Sequence, residues 1–348
     1  MLVGVSMKSI IVIAMVALLQ SKGEQLFRVL DKNNDNQLSY SEAPEWFMLG
    51  MDADKNGQIT VAEATVWTKQ KRKEQRNSIK VSKAFTLAKD VVYVEKPENK
   101  KEQSLDIYGK TSSEKQPVLI YIHGGAWTIG DKSNGLGTKV PWLANQGWLF
   151  VSINYRLAPK VQHPVLIEDV AAAVAWVHEH INEYGGDPEK IVVMGHSAGA
   201  HLAALVSTDK RKLEAHKKPL SVIKAVVLLD GAGYDIPALL TDPLLPKTSI
   251  ETYTKWASNN PDVWKDASPI THIEKDIGTP EFLILHTSRK RAIEQSKQLA
   301  KVLQSNGVQV KVVPCLNDTH ASINANVGAK GHICTTSIEK VMSSVEGK

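Results

Sequence analysis

The sequence predicts an α/β protein: a mostly parallel sheet with helices on both faces, preceded by a small α-helical module. Three observations carry this reading. From about residue 90 onward, short continuous apolar runs alternate with longer amphipathic stretches, as expected for strands buried on both faces and joined by crossover helices. Ahead of them, residues 24–66 hold a short repeat rich in Asp, Asn and Glu. A chain of 348 residues is long enough for one large domain plus such a module.

The composition narrows the function classes. A hydrophobic fraction of 43% and a charged fraction of 23% give a chain with enough apolar surface to bury, which argues against disorder. The net charge of +5 is spread along the chain; the one basic run, residues 69–76, reads as a solvated helix or linker. Nucleic-acid binding therefore has no support. The segment Ser9–Gln20 carries no charge and follows Lys8. That is the shape of a secretory signal over residues 1–21, with cleavage after Ser21 and a secreted or periplasmic product. Its apolar part falls short of the about 20 residues a membrane helix needs, so no stable membrane span is expected; a buried helix or uncleaved anchor is the alternative. The two cysteines, Cys315 and Cys334, are either a bridge in an oxidising compartment or two buried thiols.

The repeat runs twice over twelve residues, the copies starting at Asp31 and Asp52, 21 residues apart. In the first, Asp31, Asn33 and Asp35 stand at positions 1, 3 and 5, Gln37 at 7, Ser39 at 9 and Glu42 at 12. In the second, the same places hold Asp52, Asp54, Asn56, Gln58, Thr60 and Glu63. Ca²⁺ takes six to eight hard oxygen ligands, and a loop of this length supplies them from those positions, position 7 through its backbone carbonyl. These loops resemble EF-hands. The first departs at position 6, where Asn36 replaces Gly57 of the second; that turn needs positive φ, which Asn tolerates next best. Leu38 and Ile59 at position 8 are expected to meet as a small apolar pair. The resemblance implies structural Ca²⁺ and leaves room for a protein partner docked through this module; a polar turn without metal is the alternative. Residues 67–89 read as helix and linker.

In the larger domain, residues 90–348, Val91–Glu95 and Leu105–Tyr108 read as an antiparallel opening pair. Strands follow at Val118–His123, Trp148–Asn154, Ile191–Gly195, Val222–Leu229, Phe282–His286 and Val308–Val313. Helices are expected at Val165–Tyr184 and Ile293–Asn306, the latter closed by Gly307.

Two motifs bear chemistry. Gly195-His196-Ser197-Ala198-Gly199 lies between a predicted strand and the apolar helix Ala200–Val206, the setting of a nucleophile elbow. Ser197 then projects from a strained turn at a helix N-terminus, which favours developing negative charge. His123-Gly124-Gly125-Ala126-Trp127 follows another strand, where such a loop aims backbone N–H groups at the same point; each donor to a tetrahedral oxyanion is worth about 2.7–4 kcal/mol.

With these in place, residues 89–337 resemble an α/β-hydrolase of the esterase/lipase type, similar to hormone-sensitive-lipase-like and bacterial carboxylesterase or feruloyl-esterase-like enzymes. The resembling segments are HGGAW, SINYRLAP, HPVLIEDVAAAVAWV, GGDPEKIVVMGHSAGAHLAAL and FLILH. The resemblance implies Ser197 as nucleophile and the N–H groups of Gly125, Ala126 and Ala198 as oxyanion hole. It places the base after the last strand, where His320 stands. The other histidines have structural readings: His123 in the oxyanion loop, His163 before a proline, His196 and His201 around the elbow, His286 at a strand end and His332 in a loop.

The acid breaks the pattern. The position after Phe282–His286, where the family usually carries it, holds Ser288 and Arg289, and Glu294 lies in the next helix. Some relatives take the acid from the preceding strand, which here ends at Asp230. Asp230 is therefore the expected third member, with a turn or capping role as the alternative, Asp235 and Asp318 as further candidates, and a slower Ser–His dyad without an acid as the remaining option. The expected function is hydrolysis of a carboxylic ester (short acyl, aryl or carbohydrate) through an acyl-serine, without a catalytic cofactor. A catalytically impaired binder of the same fold and a peptidase are the rival readings.

Overall fold

The computed structural model describes residues 31, 33–39, 56, 58–67, 69–70, 80, 83–245 and 247–347. The signal segment 1–21, Glu42, Asp52, Asp54, Gly57 and much of the 67–89 connection lie outside the described residues. The chain divides into two compact units, Met1–Lys80 and Val81–Lys348.

In the first unit, strands β1 (Gln37–Leu38) and β2 (Ile59–Thr60) pair antiparallel, with Leu38 opposite Ile59. Both side chains are fully buried. The Asp31 carboxylate accepts the N–H groups of Asp35 (3.1 Å) and Asn36 (2.9 Å). Asn33 and Asp35 close the turn by accepting from the N–H groups of Asp35 and Gln37. Asn36 sits at φ 60°, a left-handed backbone that asparagine tolerates. Thr60 and Glu63 then form a reciprocal cap: Glu63 N–H donates to Thr60 Oγ1 (3.2 Å) and the Thr60 N–H donates to Glu63 Oε2 (2.9 Å). This satisfies donors that a helix start leaves open, and residues 61–67 are helical.

The second unit opens with β3 (Thr86–Val92) and β4 (Ser104–Tyr108), followed by β5 (Gln116–Ile122), helix α1 (Lys139–Asn145) and β6 (Leu149–Ile153). Next come α2 (Val165–His180), β7 (Gly186–His196), α3 (Ala198–Thr208), α4 (Lys210–Glu214) and β8 (Ile223–Leu229). Helices α5 (Ile236–Leu240), α6 (Lys247–Ala257) and α7 (Pro261–Asp266) lie between β8 and β9 (Glu281–His286). The chain ends with α8 (Lys290–Ser305), β10 (Val310–Pro314), α9 (Ser322–Ala325) and α10 (Ile333–Glu346).

These strands form an eight-stranded sheet among the described residues, in the order β10-β9-β8-β7-β5-β6-β4-β3. The six strands from β5 to β10 run parallel; β4 is antiparallel to both β3 and β6. Side chains alternate between two cores, as the two-residue strand period requires. Val118, Ile120 and Ile122 of β5 pack with α2, α3 and α8 on one face. Leu119 and Tyr121 pack with α1 and α10 on the other. The described residues contain no helix long and apolar enough to cross a membrane.

Several boundaries differ from the sequence reading. The linker expected to reach residue 89 ends sooner, because β3 already begins at Thr86; its polar Lys89 and Asp90 hide the strand, and Asp90 sits at φ 54° in an irregular register. Strand β10 starts at Val310 rather than Val308, because Val308 N–H still closes α8 by donating to Leu303 O after Gly307 turns at φ 79°.

Candidate active site

Four loops leave the C-terminal ends of parallel strands and meet, the place where open α/β sheets put their sites. The first is the elbow between β7 and α3. Ser197 adopts φ 56° and ψ −119°, a conformation that only a well-determined surrounding holds. Its two glycines explain the sequence signature. A Cβ on Gly195 would lie 2.1 Å from Gly199 O, and one on Gly199 would lie 2.1 Å from Ile122 O. Neither close approach tolerates a side chain, so strand, turn and helix fit together only with glycine at both places.

The second loop follows β5. A Cβ on Gly124 would come 3.1 Å from Ser197 Cβ, so this loop lies directly against the elbow. Gly125, Ala126 and Trp127 all have positive φ, which turns successive peptide groups. Among the described residues, no hydrogen bond uses the N–H of Gly125 or Ala126. Ala198, first residue of α3, has the free N–H that any helix start offers. The loop is anchored through Trp127, which is buried, stacks on Trp256 of α6 at 4.4 Å and donates from its indole to His201 Nδ1 at 3.3 Å. Trp127 and Trp256 thus fill core, while Trp142 and Trp264 are half-buried and bonded to Glu339 and to Ser258 O.

The remaining two loops follow β10 and β8. His320 Nε2 lies 3.0 Å from Ser197 Oγ, and its Nδ1 lies 2.6 Å from Asp230 Oδ2. Serine, histidine and aspartate therefore form one hydrogen-bonded line. Asp230 is wholly buried. Its carboxylate takes no capping role for the Gly231–Gly233 turn. Oδ1 accepts from the Thr287 N–H (2.9 Å) and hydroxyl (3.0 Å), and Oδ2 accepts from Arg289 Nε (2.7 Å) as well as from His320. Burial alone would raise this carboxyl, but the His320 hydrogen bond, the charges of Arg289 and His320 and the Thr287 N–H hold it well below the usual carboxylate range. Burial depresses His320 below the ordinary histidine value; Asp230 opposes this and the Arg289 charge adds to it.

The other candidates are used elsewhere. Asp235 caps α5 by accepting from Ala238 N–H. Asp318 pairs with His332 at 2.9 Å and binds Ser322 and Asn326. Glu294 lies near Lys290 on the exposed side of α8. His123 stacks on Tyr155, His163 pairs with Asp266, His201 is bonded to Ala267 O, and His286 faces the Thr287 carbonyl. Cys315 and Cys334 are disulfide-bonded, which ties the start of the His320 loop to the start of α10. Three contacts escaped sequence reasoning: Thr287, Arg289, and His196, whose Nε2 lies 2.7 Å from the His320 carbonyl. The signal for Arg289 is its place in the turn after β9, where an acid is expected.

Comparison with known proteins identifies the family and the fold. The BD-FAE family model matches residues 105–303, which include Ser197 and Asp230. The probable carboxylic ester hydrolase LipM of Mycobacterium tuberculosis is 40% identical over 176 residues, 49% of this chain and 40% of that protein. Esterase LipQ of the same organism is 28% identical over 258 residues, 71% of this chain and 61% of that protein. The chain thus spans about half the length of the curated relatives it matches. Among solved structures, esterase B from Lactobacillus rhamnosis superposes with a TM-score of 0.63 at 20% identity, covering 82% of this chain and 94% of that one. A truncated carbohydrate esterase from gut microbiota gives 0.61 at 21%, covering 75% and 99%. The chain has the α/β-hydrolase fold and belongs to the BD-FAE family.

Proposed function

We propose that this protein hydrolyses carboxylic esters through an acyl-Ser197 intermediate. The observation that carries the proposal is the line Ser197 Oγ–His320–Asp230, with separations of 3.0 and 2.6 Å. In this reading Ser197 Oγ attacks the ester carbonyl carbon as its proton passes to His320 Nε2. The carbonyl oxygen becomes an oxyanion received by the N–H groups of Gly125, Ala126 and Ala198. Collapse expels the alcohol, which takes the proton from His320. Water then attacks the acyl-enzyme with His320 again accepting the proton; the acid leaves and Ser197 is restored. Asp230 holds Nδ1 protonated, so that Nε2 presents its lone pair, and stabilises the imidazolium. The low pKa directions of both groups suit these roles: Asp230 remains an anion and His320 a neutral base at neutral pH. Against the rival of an impaired hydrolase-fold binder stands the Asp230 carboxylate, 2.6 Å from His320 Nδ1.

The substrate class we infer is a short acyl, aryl or carbohydrate ester. The test is a panel of acetyl, butyryl, octanoyl and feruloyl esters with wild type and Ser197→Ala, with a fluorophosphonate to count reactive serines. Hydrolysis in wild type that is lost in Ser197→Ala, with labelling lost in parallel, is the expected result. Equal activity in a correctly folded Ser197→Ala would sink the serine mechanism.

We further propose that the N-terminal unit is an EF-hand pair holding Ca²⁺ as a structural ion and that the protein is exported. The donor set Asp31, Asn33 and Asp35 is all oxygen and suits a hard cation. The Leu38–Ile59 pairing, positive φ at Asn36 and the Thr60–Glu63 cap support the module. A bound ion would brace the two loops. The Cys315–Cys334 bridge supports an oxidising compartment.

A further inference from the structure

Arg289 stands where the sequence offered no acid, in the turn between β9 and α8. Its guanidinium makes two bonds to one residue. Nε donates to Asp230 Oδ2 at 2.7 Å, and Nη2 donates to the Asp230 backbone carbonyl at 2.7 Å. Asp230 has φ 47°, a left-handed backbone that aspartate adopts more readily than most residues. A fork that grips both carbonyl and carboxylate fixes the side chain relative to that backbone. The planar guanidinium with its fixed donors suits this task in a way an ammonium does not.

The geometry also divides the carboxylate. Oδ1 is filled by the Thr287 N–H and hydroxyl, while Oδ2 is shared by Arg289 Nε and His320 Nδ1. Asp230 is wholly buried, whereas the Arg289 side chain that bonds it is 38% exposed. With a permanent cation on Oδ2, the proton between His320 and Asp230 stays on the imidazole. We propose that Arg289 is a positioning residue of the triad: it locks the Asp230 carboxylate in the orientation that holds His320, having taken the position where an acid usually follows this strand. The inference rests on the esterase reading and extends it.

The groups facing His320 are Asp230 at the end of β8, Arg289 after β9, and His196 and Ser197 at the end of β7, with the His196 ring 4.7 Å away. Of these, Arg289 is the fixed positive charge. The test compares wild type, Arg289→Gln and Arg289→Lys, measuring kcat and KM against pH on p-nitrophenyl acetate and an ester bearing a free carboxylate, per fluorophosphonate-titrated site. Arg289→Gln is expected to lose about 10- to 100-fold in kcat, the scale of a misplaced catalytic group, with KM within about twofold. Losing the cation beside His320 raises the histidine pKa, so the acid limb of kcat/KM moves to higher pH. Arg289→Lys keeps the charge but not the fork, so its limb stays in place while kcat still falls.

Unchanged kcat per titrated site in Arg289→Gln, with an unmoved limb, overturns the role, even if fewer molecules fold. A rise in KM confined to the anionic ester, with kcat intact, assigns the guanidinium to substrate binding and also overturns it. Should Arg289→Gln fail to fold, Arg289→Lys decides on kcat alone. Absence of fluorophosphonate labelling in wild type refutes the esterase reading and this inference with it; labelled wild type with an indifferent Arg289 refutes only the inference.

Discussion

Replacing Asp230 by Asn keeps the side-chain shape and removes its charge, and the hydrogen bonds around it set the outcome. The aspartate faces only donors: Thr287 N–H and Oγ1 on one oxygen, Arg289 Nε and His320 Nδ1 on the other. An asparagine has one acceptor and one donor end, so one side is always mismatched. Turning the NH₂ toward Thr287 sets it against a backbone N–H in a residue 1% exposed, and leaving a buried donor unpaired costs about 1–3 kcal/mol. Turning it toward Arg289 is cheaper, because that guanidinium is partly exposed and can swing to water. The second orientation therefore prevails by roughly 5- to 150-fold, at tenfold per about 1.4 kcal/mol. In it the amide donates to His320 Nδ1, which must become the acceptor, so Nε2 carries the proton and cannot receive one from Ser197. The expected loss in kcat lies between about 10² and 10⁴-fold, the upper figure being that of a comparable substitution in another serine triad. The melting temperature falls by several degrees as a buried charge-assisted network is weakened. The assay is p-nitrophenyl butyrate turnover per folded molecule, with calorimetry alongside. Turnover within threefold of wild type would refute the reasoning and turn attention to Asp318→Asn and Glu294→Gln.

His320→Ala is expected to lower ester hydrolysis by about 10⁴-fold or more with little change in far-UV circular dichroism; a modest loss would move the base elsewhere. Because the His320 pKa is depressed by burial and Arg289, against the pull of Asp230, the imidazole stays neutral to lower pH than a free one. The acid limb of kcat/KM is thus expected below the ordinary histidine range, and a limb at or above it contradicts the arrangement. The Cys315–Cys334 bridge closes a segment of sequence separation 19 that includes His320; Cys315→Ser with Cys334→Ser is expected to cost about 2–4 kcal/mol in urea unfolding, and equal midpoints with and without the bridge would show it to be idle. Ca²⁺ is expected to bind by calorimetry and to raise the melting temperature by mass action, with ester turnover in EDTA within twofold; binding that survives Asp31→Ala plus Glu63→Ala would place the ion elsewhere.

The parts of the site readable in sequence are those whose constraints are local. Gly195 and Gly199 are legible because each must admit a backbone oxygen at contact distance, which no other residue does. The continuous apolar runs of β5, β7, β8 and β9 are legible because both faces of those strands are buried, which removes the polar half of the alternation. The start of β3 is not legible, because the strand lies at the sheet edge and carries the charged Lys89 and Asp90.

By itself, then, the sequence determined a parallel α/β sheet, the elbow at Ser197, the glycine loop at 123–127 and a histidine after the last strand, because each follows from the pattern of a few adjacent residues. It left Asp230, Asp235 and Asp318 as competing carboxylates and could not say whether the cysteines met. Tertiary structure decided those points. The order β8-β9 brings Thr287 and Arg289 onto Asp230 across sequence separations of 57 and 59, and the β10 loop brings His320 onto it across 90. Whether a carboxylate caps a helix, as Asp235 does, or faces an imidazole depends on which strand ends lie side by side. That is settled by the packing of the whole sheet, and no stretch of neighbouring residues encodes it.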